Sequence, residues 1–249
     1  MTGVGSIPTC AIFVWFKFSF IGVRVMRLFA LLLVGLLASV SQAQTRLSGI
    51  VFAGQTRVVP PGNYYVDFRL TVNAGGKIVF EPGVNIDVRT STYWLLCGGE
   101  AQLNGTASQP ITITTQTGLA SPGMLGMVPA TGSNVRPRLS MAYTNFSSHA
   151  NNLVFCQRTD FQIANCGFIN TSTSATKAVI RASQATFGTV QDSVLDLVSK
   201  TGYGLNVGQS ATATDSTGID LMNVAVLNSA QPVNIQKIAP IAVLNGSID

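Results

Sequence analysis

Charge is scarce in this sequence. Only 10% of the 249 residues are Asp, Glu, Lys or Arg, and with 47% hydrophobic residues the chain is too apolar to be disordered. Histidine occurs once, as His149 in Ser147-Ser-His-Ala-Asn-Asn152. A multi-histidine metal site is therefore excluded, no nucleophile motif stands beside it, and a turn or surface position is expected. The ten acids never stand side by side. Cysteines are few: Cys10 lies near the start, and Cys97, Cys156 and Cys166 follow at spacings that match no metal site. Two readings of these thiols are open, a Cys156–Cys166 disulfide or three small buried hydrophobes. The net charge of +5 points towards nucleic acid until it is divided. Lys17, Arg24 and Arg27 precede residue 44 with no acid among them, which leaves 12 basic against 10 acidic residues, or +2, beyond it. No basic cluster or stripe remains, so nucleic-acid binding is set aside.

What is present begins with a leader. Arg27, the apolar run Leu28 to Ala38 and the small residues Ser39-Val-Ser41-Gln42-Ala43 make up the three parts of a secretory signal. Cleavage is expected after Ala43. Residues 1–43 thus read as leader and signal peptide, with Met26 as an alternative start, and 44–249 as a single domain. The apolar core is shorter than the roughly 20 residues of a spanning helix, so no stable transmembrane span is expected after cleavage.

Beyond the leader one short pattern recurs. Val51-Phe-Ala-Gly54 with Pro61-Gly62 returns 21 residues later as Val72-Asn-Ala-Gly75 with Pro82-Gly83, and 23 residues later again as Leu95-Leu-Cys-Gly98 with Gly105-Thr106. Apolar residues alternate within each unit, as in Ile78 and Phe80, then Val84, Ile86 and Val88, and glycine corners separate the runs. Each unit holds three short strands and no helical period. A repeat of this kind reads as an all-β solenoid in which each strand lies parallel to its successor about 4.8 Å away. Lys77 is then expected beside Glu100.

The run Leu70 to Val88, followed by Leu103-Asn-Gly-Thr-Ala-Ser-Gln-Pro-Ile-Thr-Ile-Thr114, resembles the opening coils of secreted bacterial right-handed parallel β-helix proteins, the pectate-lyase-like superfamily. The resemblance covers roughly residues 60 to 115. It implies a right-handed parallel β-helix and a secreted, extracellular, cell-surface or periplasmic location. Enzymes of that superfamily cleave acidic polysaccharides with converging carboxylates, which sets what to look for here.

Residues 116 to 137 are the least regular stretch and read as a loop or wide turn with a short strand at Met124 to Val128. Coils then resume: Leu139, Met141, Tyr143 and Phe146 return 22 residues later as Phe161, Ile163, Asn165 and Phe168. A looser signature places Asn165, Gln191, Asn223 and Asn245 in one column at spacings of 26, 32 and 22. Asn165, Asn223 and Asn245 are read as a structural ladder at a turn, where an amide tolerates left-handed backbone and bonds its neighbour. Asn104-Gly-Thr106 and Asn145-Phe-Ser147 are weak glycosylation signals.

No catalytic, cofactor or metal motif is found. Asp192 and Asp196 are the closest pair of acids, but four residues of strand separate them by about 13 Å. Asp215 and Asp220 flank a polar excursion, and Arg158 and Arg181 are candidate contacts for an acidic glycan. The chain ends at Ile248-Asp249 in the middle of a coil signature, as part of a longer protein would. The expected function is a secreted or cell-surface scaffold with a structural, adhesive or glycan-contacting role, its partner a polysaccharide or other surface component, and no catalysis of its own. The alternative is a polysaccharide lyase or glycoside hydrolase.

Overall fold

The computed structural model describes residues 43–115, 124–148, 152–171, 177–198, 202–208, 217–229 and 231–236. The leader, His149, Asp215 and Asn245 lie outside the described residues. Residues 43–249 form one compact unit. Its described part is all-β, without a helix, and every strand pairing in it is parallel.

Each coil sends one strand to each of three faces. The first face is an eight-stranded sheet running Gly49–Val51, Leu70–Val72, Tyr93–Cys97, Met124–Met127, Asn152–Gln157, Ala178–Ser183, Tyr203–Gly208 and Gln231–Gln236. The other two belong to a 13-stranded sheet bent at a corner. Its second face stacks Thr56–Val59, Lys77–Phe80, Glu100–Asn104, Arg138–Ala142 and Asp160–Ala164. Its third stacks Thr45–Arg46, Gly62–Val66, Val84–Val88, Ile111–Thr115, Thr144–Ser148 and Gly167–Asn170. Two ten-residue strands, Phe187–Asp196 and Gly218–Leu227, turn that corner without a break and serve both faces. This is the arrangement of a parallel β-helix solenoid.

The core lies between the faces. Alternate residues such as Ile78 and Phe80, or Val84, Ile86 and Val88, are buried while their neighbours reach the surface. The alternation fails at the start of the first face's strands, where Trp94-Leu95, Leu153-Val154 and Val179-Ile180 are consecutive buried pairs. In the first of these the register slips, Met124 facing Tyr93 and Leu125 facing Leu95. Trp94 is thus an extra residue, a bulge that lets its ring meet Phe80 edge-on at 5.9 Å.

Register follows the repeat at several positions. Val51 faces Val72, Lys77 faces Glu100 with an ion pair of 3.1 Å, and Leu139 and Phe146 face Phe161 and Phe168. Elsewhere the spacing read from the sequence is corrected. Val72 faces Cys97 and not Leu95, because four residues, Asn73-Ala-Gly-Gly76, turn the corner in one coil and only Gly98-Gly99 in the next. Shortening the corner brings backbones together: a Cβ on Gly99 would overlap the Gly76 carbonyl. The column below Asn165 also shifts, since Ala164 faces Gln191 and Gln191 faces Met222, which makes Asp192 and not Gln191 the residue between Asn165 and Asn223.

Candidate functional site

The corner joining the two faces of the large sheet is built from single left-handed residues. Tyr143, Asn165, Asp192 and Asn223 have φ of 44°, 55°, 48° and 51°. Asn and Asp reach that region most cheaply, so three of the four positions carry them. Asn223 Nδ2 donates to Asp192 Oδ1 at 2.7 Å, and Gln191 Nε2 donates to Oδ2 at 2.9 Å. The next residue in each coil is buried, and Ser193 Oγ accepts the Cys166 N–H at 3.1 Å while donating to the Gln191 carbonyl at 2.7 Å. Asp192 is therefore occupied by the turn. Asp196 stands on the third face and accepts from Asn228 Nδ2 at 2.8 Å, so the two acids nearest in sequence do not share a site. Asp220 is exposed on the second face beside Thr189.

A second corner was missed by the sequence reading. Where the first face passes to the second, Thr159, Thr186 and Thr217 are all buried. Thr186 Oγ1 accepts the Thr159 N–H at 3.4 Å and lies 2.6 Å from the Ser183 carbonyl and 3.3 Å from that of Cys156. Thr217 Oγ1 accepts the Thr186 N–H at 3.5 Å. The hydroxyls close the backbone groups that the corner leaves unpaired. Their spacings of 27 and 31 equal those of the other corner, a signal that was readable.

Chemistry-bearing side chains gather on the second face. Thr56, Lys77, Glu100, Arg138, Asp160 and Phe187 occupy one column, one per coil. The turn from Val128 to Pro137 forms a wall above them, closed at its tip by a Ser133 N–H to Ala130 carbonyl bond of 2.9 Å. From that turn Arg136 reaches back to Asp160 Oδ1, at 3.1 Å from Nε and 2.7 Å from an Nη, donates to the Ala185 carbonyl at 2.6 Å, and lies over the Phe187 ring at 5.3 Å. Lys77 and Gln102 meet Glu100 on Oε1 at 3.1 and 2.6 Å. The result is a groove in two connected parts of about 560 and 480 Å³, both lined by Glu100, Arg138 and Asp160. Leu139, Phe161, Ser140, Gln162 and Thr189 complete the second part with Phe187.

Of the charged residues singled out from sequence, Lys77 and Glu100 belong to this groove. Arg181 is exposed on the first face, over the Phe155 ring at 5.7 Å, and Arg158 turns a corner with φ of 48°. Cys97, Cys156 and Cys166 are buried and free. Burial raises the thiols of Cys97 and Cys166 to about 12 and about 11, and that of Cys156 also upwards, which leaves them inert as nucleophiles. Among the described residues no group of His, Cys, Asp or Glu is placed to hold a metal ion. No protein-family model matches the chain, and no curated protein matches it.

Proposed function

We propose that the protein is a secreted or cell-surface scaffold, a right-handed parallel β-helix of the pectate-lyase-like kind, which contacts glycans and performs no catalysis of its own. The groove on the second face is the observation that supports this reading. It is concave, carries an aromatic ring with alternating donors and acceptors, and rests on a rigid stack of strands. A carboxyl acting as general acid needs shelter from water and cations. Glu100 and Asp160 are instead 35% and 45% exposed, with Lys77 and Arg136 against them. The leader agrees with export, and the low charge agrees with a stacked, uncharged coil.

The enzymatic reading has one feature in its favour. Glu100 and Asp160 stand two strands apart in one groove, about 9.6 Å between backbones, near the upper end of the carboxyl separation used by inverting glycosidases. Incubating the protein with a panel of soluble and insoluble polysaccharides decides between the two. Retention without release of unsaturated or reducing ends is the expected result. Release that disappears in Glu100→Gln or Asp160→Asn would establish the enzyme.

A further inference from the structure

The residues just ahead of the first strand carry chemistry that the groove does not use. Cleavage of the leader after Ala43, as the export reading requires, leaves Gln44 as the first residue, one position before the strand Thr45–Arg46. That strand is pinned. Thr45 and Arg46 pair with Tyr64 and Tyr65, and Arg46 Nε donates to Asp67 Oδ1 at 2.8 Å. Gln44 is exposed, yet its side chain is held as well. An Nη of Arg89, the residue after the strand Val84–Val88, donates to Gln44 Oε1. Arg89 is itself fixed on the third face, its Nε donating to Asp87 Oδ2 at 2.7 Å and its guanidinium lying over the Tyr65 ring at 4.5 Å.

A glutamine at a free N-terminus can close on itself. Its α-amino nitrogen attacks Cδ, the Cδ–Nε2 bond breaks, and Nε2 departs as ammonia with a proton given up by the amine, leaving a five-membered lactam. No oxidant or co-reactant is needed. Negative charge develops on Oε1 as the nitrogen adds, and a guanidinium donor already placed on that atom stabilises it. The contacts of Gln44 are divided in the productive sense: Oε1, which the lactam keeps, is bound, whereas Nε2, which leaves, has no partner among the described residues. The bond to Arg89 can therefore persist from amide to lactam.

We propose that Gln44 is a modification site, closing to pyroglutamate once the leader is removed, with Arg89 as the donor to the reacting carbonyl. The lactam has no α-ammonium, so the mature chain loses a terminal charge and is closed to aminopeptidases. This rests on cleavage after Ala43 and is independent of what the groove binds.

Secretion of the full chain through its own leader tests the proposal, read by intact mass and by the mass of the N-terminal peptide. The mature protein should begin at residue 44 and be lighter by one ammonia than its sequence requires. Closure is then timed in freshly secreted wild type, Arg89→Gln and Arg89→Lys, with a peptide of residues 44–50 giving the unassisted rate. Arg89→Gln should close about tenfold more slowly than wild type, a smaller loss than a buried oxyanion donor gives because water reaches the site. Arg89→Lys, which keeps a cation, should lie between them. Thermal unfolding shows whether the variants are folded, and the comparison of wild type with peptide decides the matter if they are not. A mature chain starting at any other residue would overturn the cleavage reading and the inference together. A chain that starts at Gln44 and keeps its amine would overturn the inference and leave export standing. Equal rates in wild type and peptide would overturn it too, since Arg89 would then have no part in closure.

Discussion

The two corners show how single residues decide a coil. At one, left-handed backbone is tolerated by Asn165, Asp192 and Asn223; at the other, a buried hydroxyl serves the coils on both sides. Thr186→Val keeps the volume and removes the hydroxyl, leaving buried backbone groups unpaired. It should lower stability by about 1–3 kcal/mol in urea unfolding, whereas Thr114→Val, on the exposed third face, should be near neutral. The thiols make a second prediction. Each is held protonated in the folded chain above its ordinary value of 9.0, so their contribution is complete below about pH 9 and is lost as pH rises towards the folded values of about 11 and 12. Stability should fall across that range, less steeply in Cys166→Ala. A thiol reagent at neutral pH should label none of the three until the protein unfolds. The corner was half legible in the sequence: the amide signature located Asn165 and Asn223 but took Gln191 for Asp192, because the corner selects for left-handed backbone and not for amides.

Among elements, strands were legible and their connections were not. Alternation and glycine corners located the strands of the early coils, and the match of Gly76 with Gly99 let Lys77 be set against Glu100. The groove stayed hidden because Glu100, Arg138 and Asp160 are 38 and 22 residues apart, a first interval stretched by turns whose length bears no relation to the coil. The spacing of a repeat reports register only where the turns between strands do not vary. Turn chemistry can be tested at two glycines. Gly99→Ala forces a Cβ onto the Gly76 carbonyl and should cost about 3 kcal/mol. Gly132→Ala at the exposed tip of the wall, with φ of 77° and open space around it, should cost about 1 kcal/mol, only the strain of its backbone. Chemical denaturation of both variants separates the two causes.

At the scale of the whole molecule the described strands of each coil pair only with those of the coils before and after it, so stability is largely a sum of neighbour terms. Truncating Ile163, buried in the middle of the stack, should cost about 2–5 kcal/mol and raise hydrogen exchange in the strands on either side before the distant ones. Exchange rising uniformly throughout would show instead that the stack unfolds as one unit. The parallel register has a mechanical side as well. Around each coil the chain is continuous, so a load in that direction is carried by covalent bonds; from coil to coil it is carried by hydrogen bonds alone. Tension along the stack loads a whole coil's set of these bonds at once, while a pull on one free strand peels them singly. The molecule should therefore resist being stretched between two flat attachments far better than being unwound from a thread, an anisotropy that suits a spacer under shear.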